Sequence, residues 1–582
     1  MSTASRVIST AGHVDHGKSS LVLALTGTDP DRFAEEKQRG LTIDLGFAHT
    51  TLPSGATISF IDVPGHVRFL RNMLAGVGGI DACVFIVAAT EGWKPQSEEH
   101  LRILQLLGLT DGVIALTKVD LVDDEWSELQ ALDIADRVAG TFLEGAPIVP
   151  VSATAGTGLD DLRGHLDALI ERTAAAADRG RPRLWIDRVF AAKGSGTVVT
   201  GTLTGGSLHT DQRVDVLPAG RSGRIRSIQQ HGDAVDHIQP GSRAALNLGG
   251  IDHHLIQRGD AVITAVQWRP TRRFDATLDV LASLDHDVSR RGAYQAYIGS
   301  GEWPVKVRIL GPDTIAPGAS GLVRLHLDRE LPLVPGDRYV LRESGRNETV
   351  GGGSVLDVAP VLPASKARPD RSIDRVVAER GWIDIDDLAA LTGERVPPTI
   401  DRWVVSTAAL ETAVAVVRAR VAAAGTLGLD LAAFDEHERA VLATIDDIEV
   451  VSGHARTATV RDELATHPVL ELLRLGGTAP PEPTGADQAT LRQLVRRGLL
   501  FERDGLYFHA DAIDAAAQVV ATVLATSPDG FTMSQLREAL GVSRKFAVPL
   551  ATELDARGIT RRRGDLRIAG PRLSGGAATA PA

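Results

Sequence analysis

Cysteine occurs once in the 582 residues, at Cys83. A single thiol excludes an intrachain disulfide and a Cys-based zinc knuckle, and its place in the apolar stretch Ala82 to Val87 reads as core packing. Apolar runs approaching the ~20 residues of a bilayer span are also lacking. The N-terminus enters a β-branched strand instead of a charged region followed by a hydrophobic one. A soluble, cytoplasmic chain with no membrane partner is expected. The net charge of −12 gives no general attraction to nucleic acid, so RNA contacts would have to come from local basic patches. Hydrophobic residues at 43 % and charged ones at 23 % are ordinary globular values and exclude a disordered chain. At roughly 100 to 200 residues per domain the length calls for several separate cores.

What is present divides the chain. Residues 1–178 alternate β-branched runs (Arg6 to Thr10, Ile58 to Asp62, Cys83 to Ala88, Val113 to Thr117, Ile148 to Val151) with helical segments such as Ser97 to Leu107, the pattern of a doubly wound parallel sheet. After the connector Asp178 to Arg183, valine- and threonine-rich runs between glycines and prolines predict two small β-barrels, over 179–266 and 267–362. Pro360 to Arg371, with Pro360, Pro363 and Pro369, reads as a linker. Residues 363–582 turn rich in alanine and leucine, and a helix followed by a hairpin recurs. One copy is Leu491 to Arg497, then Leu499 to Arg503, an Asp504-Gly505 turn and Leu506 to His509. Another is Leu550 to Arg557, then Ile559 to Arg562, Gly564-Asp565 and Leu566 to Ile568. Asp-Gly between apolar alternations signals a hairpin. The region has room for about four winged helices, the last at about 515–570, with a disordered tail over 571–582. The expected fold is therefore multidomain: an α/β P-loop domain, two β-barrels and C-terminal α+β winged-helix repeats.

The sharpest motif is Gly12-His13-Val14-Asp15-His16-Gly17-Lys18-Ser19, followed by Ser20, after a strand and before a helix, where a phosphate-binding loop has to be. Its glycines let backbone N–H groups converge on phosphates, Lys18 reaches the β and γ oxygens, and the Ser19 hydroxyl can coordinate Mg²⁺. Asp62-Val63-Pro64-Gly65-His66 ends a strand. There Asp62 can hold Mg²⁺ through water, the Gly65 N–H can meet a γ-phosphate, and His66 stands beside the attacking water as the candidate catalytic residue. Thr117-Lys118-Val119-Asp120 follows a further strand. The Asp120 carboxylate can accept both N1–H and N2–H₂ of guanine, a pair adenine lacks, and the Lys118 stem can stack over the base. Ser152-Ala153 completes the base pocket. GTP with Mg²⁺ is the ligand this set describes.

These residues resemble one family. GHVDHGKSS, the RGLTID of Arg39 to Asp44, DVPGH, TKVD and the KGSGTVVTGTL of Lys193 to Leu203 resemble the elongation factor Tu superfamily of translational GTPases over the first 360 residues. EEKQRGLTIDLGFA (Glu35 to Ala48), MLAGVGGID (Met73 to Asp81) and a winged-helix tail with SRKFAVPL (Ser543 to Leu550) are similar to its selenocysteine-specific branch, the SelB family. The resemblance covers nearly the whole chain. It implies that Thr42 is the switch threonine, a further ligand to Mg²⁺ beside Ser19 and Asp62, and that Val14 and Leu41 form an apolar gate before His66. Thr117 stands where the general factor has Asn, which removes an amide able to tie the base loop to the phosphate loop. Weaker nucleotide retention is expected, which would suit a factor able to release GDP without a separate exchange protein.

Asp187, Arg188 and Arg243 read from spacing alone as a surface ion pair, whereas the resemblance implies a pocket for a selenocysteine side chain. A selenol is an anion at pH 7, so a guanidinium pair favours it over uncharged serine. Residues 541–570 hold seven Lys or Arg against three Asp or Glu. Within them Arg544, Lys545, Arg561, Arg562, Arg563 and Arg567 suit phosphate contacts, although a solvated charge run is the plainer reading. The resemblance implies GTP-dependent carriage of selenocysteinyl-tRNA to the ribosome at UGA codons by a monomeric factor held on a selenoprotein mRNA hairpin. Its rivals are another tRNA-carrying GTPase and a DNA-binding regulator switched by GTP.

Overall fold

The structure, a computed structural model, describes residues 5–31, 42–66, 69–76, 79–192, 196–264, 267–458 and 464–573. Leu41 of the expected gate lies outside the described residues, as do Arg39, Lys193 and most of Glu35 to Ala48 before Thr42. The chain divides into two compact units, Met1–Ala409 and Leu410–Ala582.

In the first unit a six-stranded sheet comes first. Its elements are β1 (Ser5–Gly12), α1 (Lys18–Thr26), β2 (Gly46–Thr51), β3 (Thr57–Asp62), α2 (Leu70–Gly76), β4 (Ala82–Ala88), α3 (Pro95–Leu106), β5 (Gly112–Thr117), α4 (Asp124–Val138), β6 (Ile148–Pro150) and α5 (Leu159–Arg172). Strand order is β2-β3-β1-β4-β5-β6, with only the β2–β3 pair antiparallel. Every residue of β4 is buried, as a central strand covered by helices on both faces requires. Cys83 lies in it, fully buried, and burial pushes its thiol up out of the reactive range. α5 shows how the covering helices arise: Leu159, Leu162, Leu166, Leu169 and Ile170 are its buried stripe, Asp160 and Asp161 sit in its first turn, and Arg172 in its last. That charge order complements the helix dipole.

Two closed barrels follow. In the first, strands Arg213–Leu217, Ala261–Ile263, Arg183–Ala192, Gly196–Thr204, Arg243–Gly249 and Arg221–Gln230 pair in that order, and the last pairs back to the first. The second runs Thr271–Val280, Ser320–Leu331, Gly301–Ile309, Tyr294–Ile298, Arg338–Glu343 and Glu348–Asp357, again closing on itself. Closure removes exposed strand edges, and alternation fills the interior, as in Gly301–Ile309, where Trp303, Val305 and Val307 are buried. Tyr297 and Val340 of this barrel join the core beneath α3, and Arg342 pairs with Glu99 at 3.3 Å. On its outer face, opposite the core residues Phe274, Ala276, Val323 and Leu325, Arg324 Nε and Nη2 donate to Asp275 at 2.6 and 2.9 Å, and with Nη1 on the Leu362 carbonyl the two side chains are 5 % and 2 % exposed.

The barrel core continues into Val376, Val377, Ile383, Leu388 and Leu391. A first helix–hairpin module, with helices Ile373–Arg380 and Ile385–Thr392 and strands Trp382–Asp384 and Trp403–Val405, thus packs within the first unit.

The second unit repeats the pattern. Helix Gln488–Arg496 leads into paired strands Leu500–Arg503 and Leu506–His509. Their turn places Asp504 at φ 51° and Gly505 at φ 76°, the two positive angles of a tight hairpin. In the last module helices Asp511–Thr526, Met533–Leu540 and Arg544–Ala556 pack around Phe531, Leu536 and Leu550 before strands Thr560–Arg563 and Leu566–Ala569. Of the tail expected at 571–582, residues 574–582 lie outside the described residues. The Arg572 N–H donates to the Gly558 carbonyl at 3.0 Å and Leu573 packs on the last core, so the first residues of that stretch belong to the folded module.

Removing one partner of a buried ion pair leaves the other charge unpaired, at a cost of about 3–5 kcal/mol. Asp275→Ala should therefore lower the unfolding midpoint of the second barrel, read by denaturant titration with proteolysis of the opened barrel, whereas Asp275 exposed on the surface would give no change.

Candidate functional site

The phosphate loop is shaped from below by β4. Gly12 has φ 135°, and a Cβ there would lie 2.1 Å from the Ile86 carbonyl oxygen, so only glycine lets the loop leave β1. Its N–H donates to His100 Nδ1 at 3.1 Å. Burial holds that imidazole neutral, with its pKa pushed down to about 3. His16 is likewise buried and held near 3 by burial, with Nδ1 3.3 Å from the Ile86 carbonyl. Asp15 and Ser20 are exposed. Lys18, at the start of α1, is 5 % exposed. Its ammonium donates to the carbonyls of His13 at 2.6 Å and Gly12 at 3.3 Å, and burial pushes its pKa down to about 8. Gly65 faces the same group: a Cβ there would stand 2.3 Å from Lys18 Nζ and 2.7 Å from the Val14 nitrogen.

Oxygens converge beside the ammonium. The Ser19 hydroxyl donates to Asp62 Oδ2 at 2.7 Å, and Thr10 donates to Oδ1 at 2.7 Å. The Thr42 hydroxyl lies 2.8 Å from Ser19 Oγ and donates to Asp31 Oδ1 at 2.9 Å. Asp62 is fully buried, and burial raises its carboxyl pKa against the opposing pull of Ser19 and Thr10. The two hydroxyls thus stand side by side between the Asp62 and Asp31 carboxylates, an oxygen cluster with room for a hard cation's chemistry. Hydroxyl and carboxylate donors around a buried anionic group fit Mg²⁺. Thr10 and Asp31 were not legible as members: one sits within a strand, the other in a loop with no motif of its own.

His66 is half-buried, its ring centroid 5.9 Å from that of Phe69. Val14 donates its N–H to Gln96 Oε1 at 3.4 Å.

At the base loop Lys118 adopts φ 59°, and its ammonium lies 3.6 Å from Glu91. Asp120 is exposed and accepts from the Thr154 hydroxyl at 3.4 Å. Ser152 is fully buried and its Oγ accepts the Ala155 N–H at 3.0 Å; Ala153, between them, is half-buried. The tie that the missing amide would have made at this position is supplied by Thr117 itself. Its hydroxyl donates to the His16 carbonyl at 2.7 Å, so base loop and phosphate loop are tied despite the missing amide. A strand-end threonine is short, but β5 lies next to β4 and brings it close enough.

Residues 42–45 link this site to the first barrel, one partner after another. Thr42 meets Ser19. The Ile43 carbonyl accepts from Asn72 Nδ2 of α2 at 2.7 Å. Asp44 pairs with Arg258 at 3.1 Å, and the Leu45 carbonyl accepts from Arg188. The candidate aminoacyl residues gather at the same seam. Arg243 donates to both Asp187 oxygens at 2.6 and 3.0 Å, and Thr200 donates to Asp187 at 2.7 Å. With Arg243 and Asp187 12 % and 7 % exposed, the surface ion pair read from spacing is instead a buried one. Both guanidiniums lie over the Phe47 ring, Arg188 at 4.1 Å and Arg243 at 3.4 Å. Phe47 carries no sequence signal for that role. A cavity of about 170 Å³ lined by Phe47, His49, Ser59, His231 and Arg243 adjoins them.

In the last module Arg544 and Lys545 are exposed in the first turn of their helix, and Arg561, Arg562 and Arg563 are exposed on the hairpin. Arg567 departs from the expected set. It is 12 % exposed, pairs with Asp555 at 2.9 Å, and its backbone pairs with Phe531, so it braces the module.

Comparison with known proteins fits this geometry. Residues 3–172 match the elongation factor Tu GTP binding domain and 196–263 match elongation factor Tu domain 2. Elongation factor Tu 2 of Streptomyces avermitilis is 32 % identical over 384 residues, 60 % of this chain and 96 % of that protein. The chain belongs to the elongation factor Tu family. Residues 275–361 match the selenocysteine-specific elongation factor beta-barrel domain and 522–569 match the elongation factor SelB winged helix. The selenocysteine-specific elongation factor of Desulfomicrobium baculatum is 41 % identical over 351 residues, 60 % of this chain and 55 % of that protein, so the chain spans little more than half the length of this curated relative. A crystal structure of a bacterial selenocysteine-specific elongation factor, EF-Sec, superposes with a TM-score of 0.73 at 25 % identity, over 97 % of this chain and 100 % of that one. Among the described residues no helix is long and apolar enough to cross a membrane.

The Thr117 tie has a measurable consequence in this family. Thr117→Val keeps the shape but strands the buried His16 carbonyl, a loss of about 1–3 kcal/mol, so dissociation of a fluorescent guanine nucleotide in stopped flow should accelerate about tenfold. An unchanged rate would show that the tie does not hold the nucleotide.

Proposed function

We propose that this chain is a selenocysteine-specific elongation factor: a GTPase that carries selenocysteinyl-tRNA to the ribosome at UGA codons while its last winged helix holds a selenoprotein mRNA hairpin. The observation that carries the reading is the union, in one chain, of a guanine-nucleotide site with a SelB-type winged helix bearing exposed Arg544 and Lys545.

In this reading GTP lies with its phosphates over the loop Gly12 to Ser19 and its base against Asp120, Lys118 and Ser152-Ala153. Lys18 balances phosphate charge, and Gly65 admits the γ-phosphate beside it because it has no side chain to intervene. Ser19, Thr42 and Asp62 would hold Mg²⁺. When bound, that ion neutralises charge on the β- and γ-phosphate oxygens. His66 orients the attacking water. Residues 42–45 then report the state of the phosphates to the first barrel, where Arg188 and Arg243 favour a selenolate over the neutral hydroxyl of a seryl group. Asp187 fixes Arg243 in orientation, and Phe47 supports both guanidiniums. A cytoplasmic, monomeric factor belongs with this role. The nucleic acid at the last module is RNA, recognised by its shape and its splayed loop bases.

Three measurements test it. Filter binding with a GTP analogue should retain selenocysteinyl-tRNA at least tenfold better than its seryl-tRNA precursor; equal retention would end the selenocysteine reading. His66→Ala should leave GTP affinity within a few-fold yet slow ribosome-stimulated hydrolysis by roughly 10² or more, and unchanged single-turnover rates would remove His66 from the mechanism. Arg544→Glu with Lys545→Glu turns two phosphate contacts into repulsions. Fluorescence titration should then show loss of hairpin binding with tRNA binding preserved, and a variant that binds the hairpin at full strength would place the anchor elsewhere.

A further inference from the structure

A second cationic site lies in the first unit, and it shares no lining residue with the candidate nucleotide loops. Where the connector after α5 meets the second barrel and the first helix–hairpin module, a cavity of about 320 Å³ is lined by Arg179, Arg181, Arg183, Arg371, Trp268 and Asp337. Asp337 is the one acidic residue among the lining residues, and it is already committed. Arg183 holds both its oxygens at 2.7 and 2.6 Å.

None of the other three guanidiniums forms an ion pair among the described residues, and Asp337, held by Arg183, acts on Arg181 only from a distance. Arg181 is 8 % exposed. It donates to the carbonyls of Ala389 at 3.3 Å and Ala390 at 2.8 Å, lies 4.3 Å over the Trp268 ring, and keeps its Nε buried with no acceptor. Arg371 reaches Gly336, where a Cβ would stand 3.0 Å from its Nη2, and Arg179 lies beside Arg181 over Gly393. The Trp268 indole N–H is buried and also lacks an acceptor. The cavity is thus walled by donors whose charge the protein does not balance.

We propose that this cavity binds a phosphate group. Three unbalanced guanidiniums exceed what a single carboxylate would neutralise, and planar N–H forks with an indole N–H match the several oxygens of a phosphate. The phosphate can come from a small free ligand or from an RNA backbone, and neither source requires the reading of the protein as a selenocysteine factor.

The test uses the full chain saturated with GDP and Mg²⁺, so that the phosphate loop does not answer to added phosphate. Isothermal titration with inorganic phosphate should show a site that weakens at least tenfold in the double variant Arg179→Ala/Arg371→Ala. Neither side chain has a protein partner among the described residues, so the variant tests the ligand and not the fold. A second arm titrates a short RNA duplex at several salt concentrations. If the backbone is the source, the same variant lowers RNA affinity and reduces the salt slope by about two. Phosphate binding lost with RNA binding unchanged assigns the site to a small phosphate ligand. Wild-type protein that takes up no phosphate, with RNA affinity indifferent to the two arginines, overturns the proposal.

Discussion

The structure turns on one buried carboxylate. Asp62 ends β3 inside the first domain, fully buried, with Thr10 on one oxygen and Ser19 on the other. A carboxylate so placed is costly unless its lone pairs are satisfied and a positive charge is near. Lys18 and the hydroxyls provide part of this, and on the proposed reading a divalent cation among the oxygens of Ser19, Thr42 and Asp62 would provide the rest. The local arrangement of β1, the phosphate loop and the segment before β2 follows from keeping that one group solvated by the protein.

The second consequence is coupling. Thr42 belongs to the carboxylate's surroundings, and the three residues after it are tied in turn to α2, to Arg258 and to Arg188. Four consecutive residues with partners on distinct elements cannot move independently. A change at the phosphate end alters the footing of Arg188, and Phe47, two residues further on, lies under both Arg188 and Arg243. Short contiguous contacts of this kind are a physical basis for linkage between two sites, and such linkage acts equally in both directions. On the proposed reading they make tRNA affinity depend on the nucleotide.

Much of this was legible in the sequence because strand-end motifs carry their own geometry. Gly12 to Ser19, Asp62 to His66 and Thr117 to Asp120 each follow a β-branched run, and a parallel sheet brings such strand ends to one edge. The two barrels and the winged modules could be read from alternation and turn chemistry, the Asp504-Gly505 hairpin most directly. What stayed hidden depends on partners distant in sequence. The Thr117 tie needs the spacing of β4 and β5; the neutral His100 beneath Gly12 needs the burial of α3; and the loss of Arg567 to Asp555 needs the fold of the last module. Arg561 to Arg563 and Arg567 look alike in sequence, and only burial separates them.

If residues 42–45 carry the nucleotide state to the first barrel, aminoacylated tRNA should bind at least tenfold more tightly to the chain loaded with a GTP analogue than to the chain loaded with GDP, and Arg258→Ala, which cuts one of the four links, should largely remove the difference. Equal affinities in the two nucleotide states, or a difference that Arg258→Ala leaves intact, would contradict this coupling.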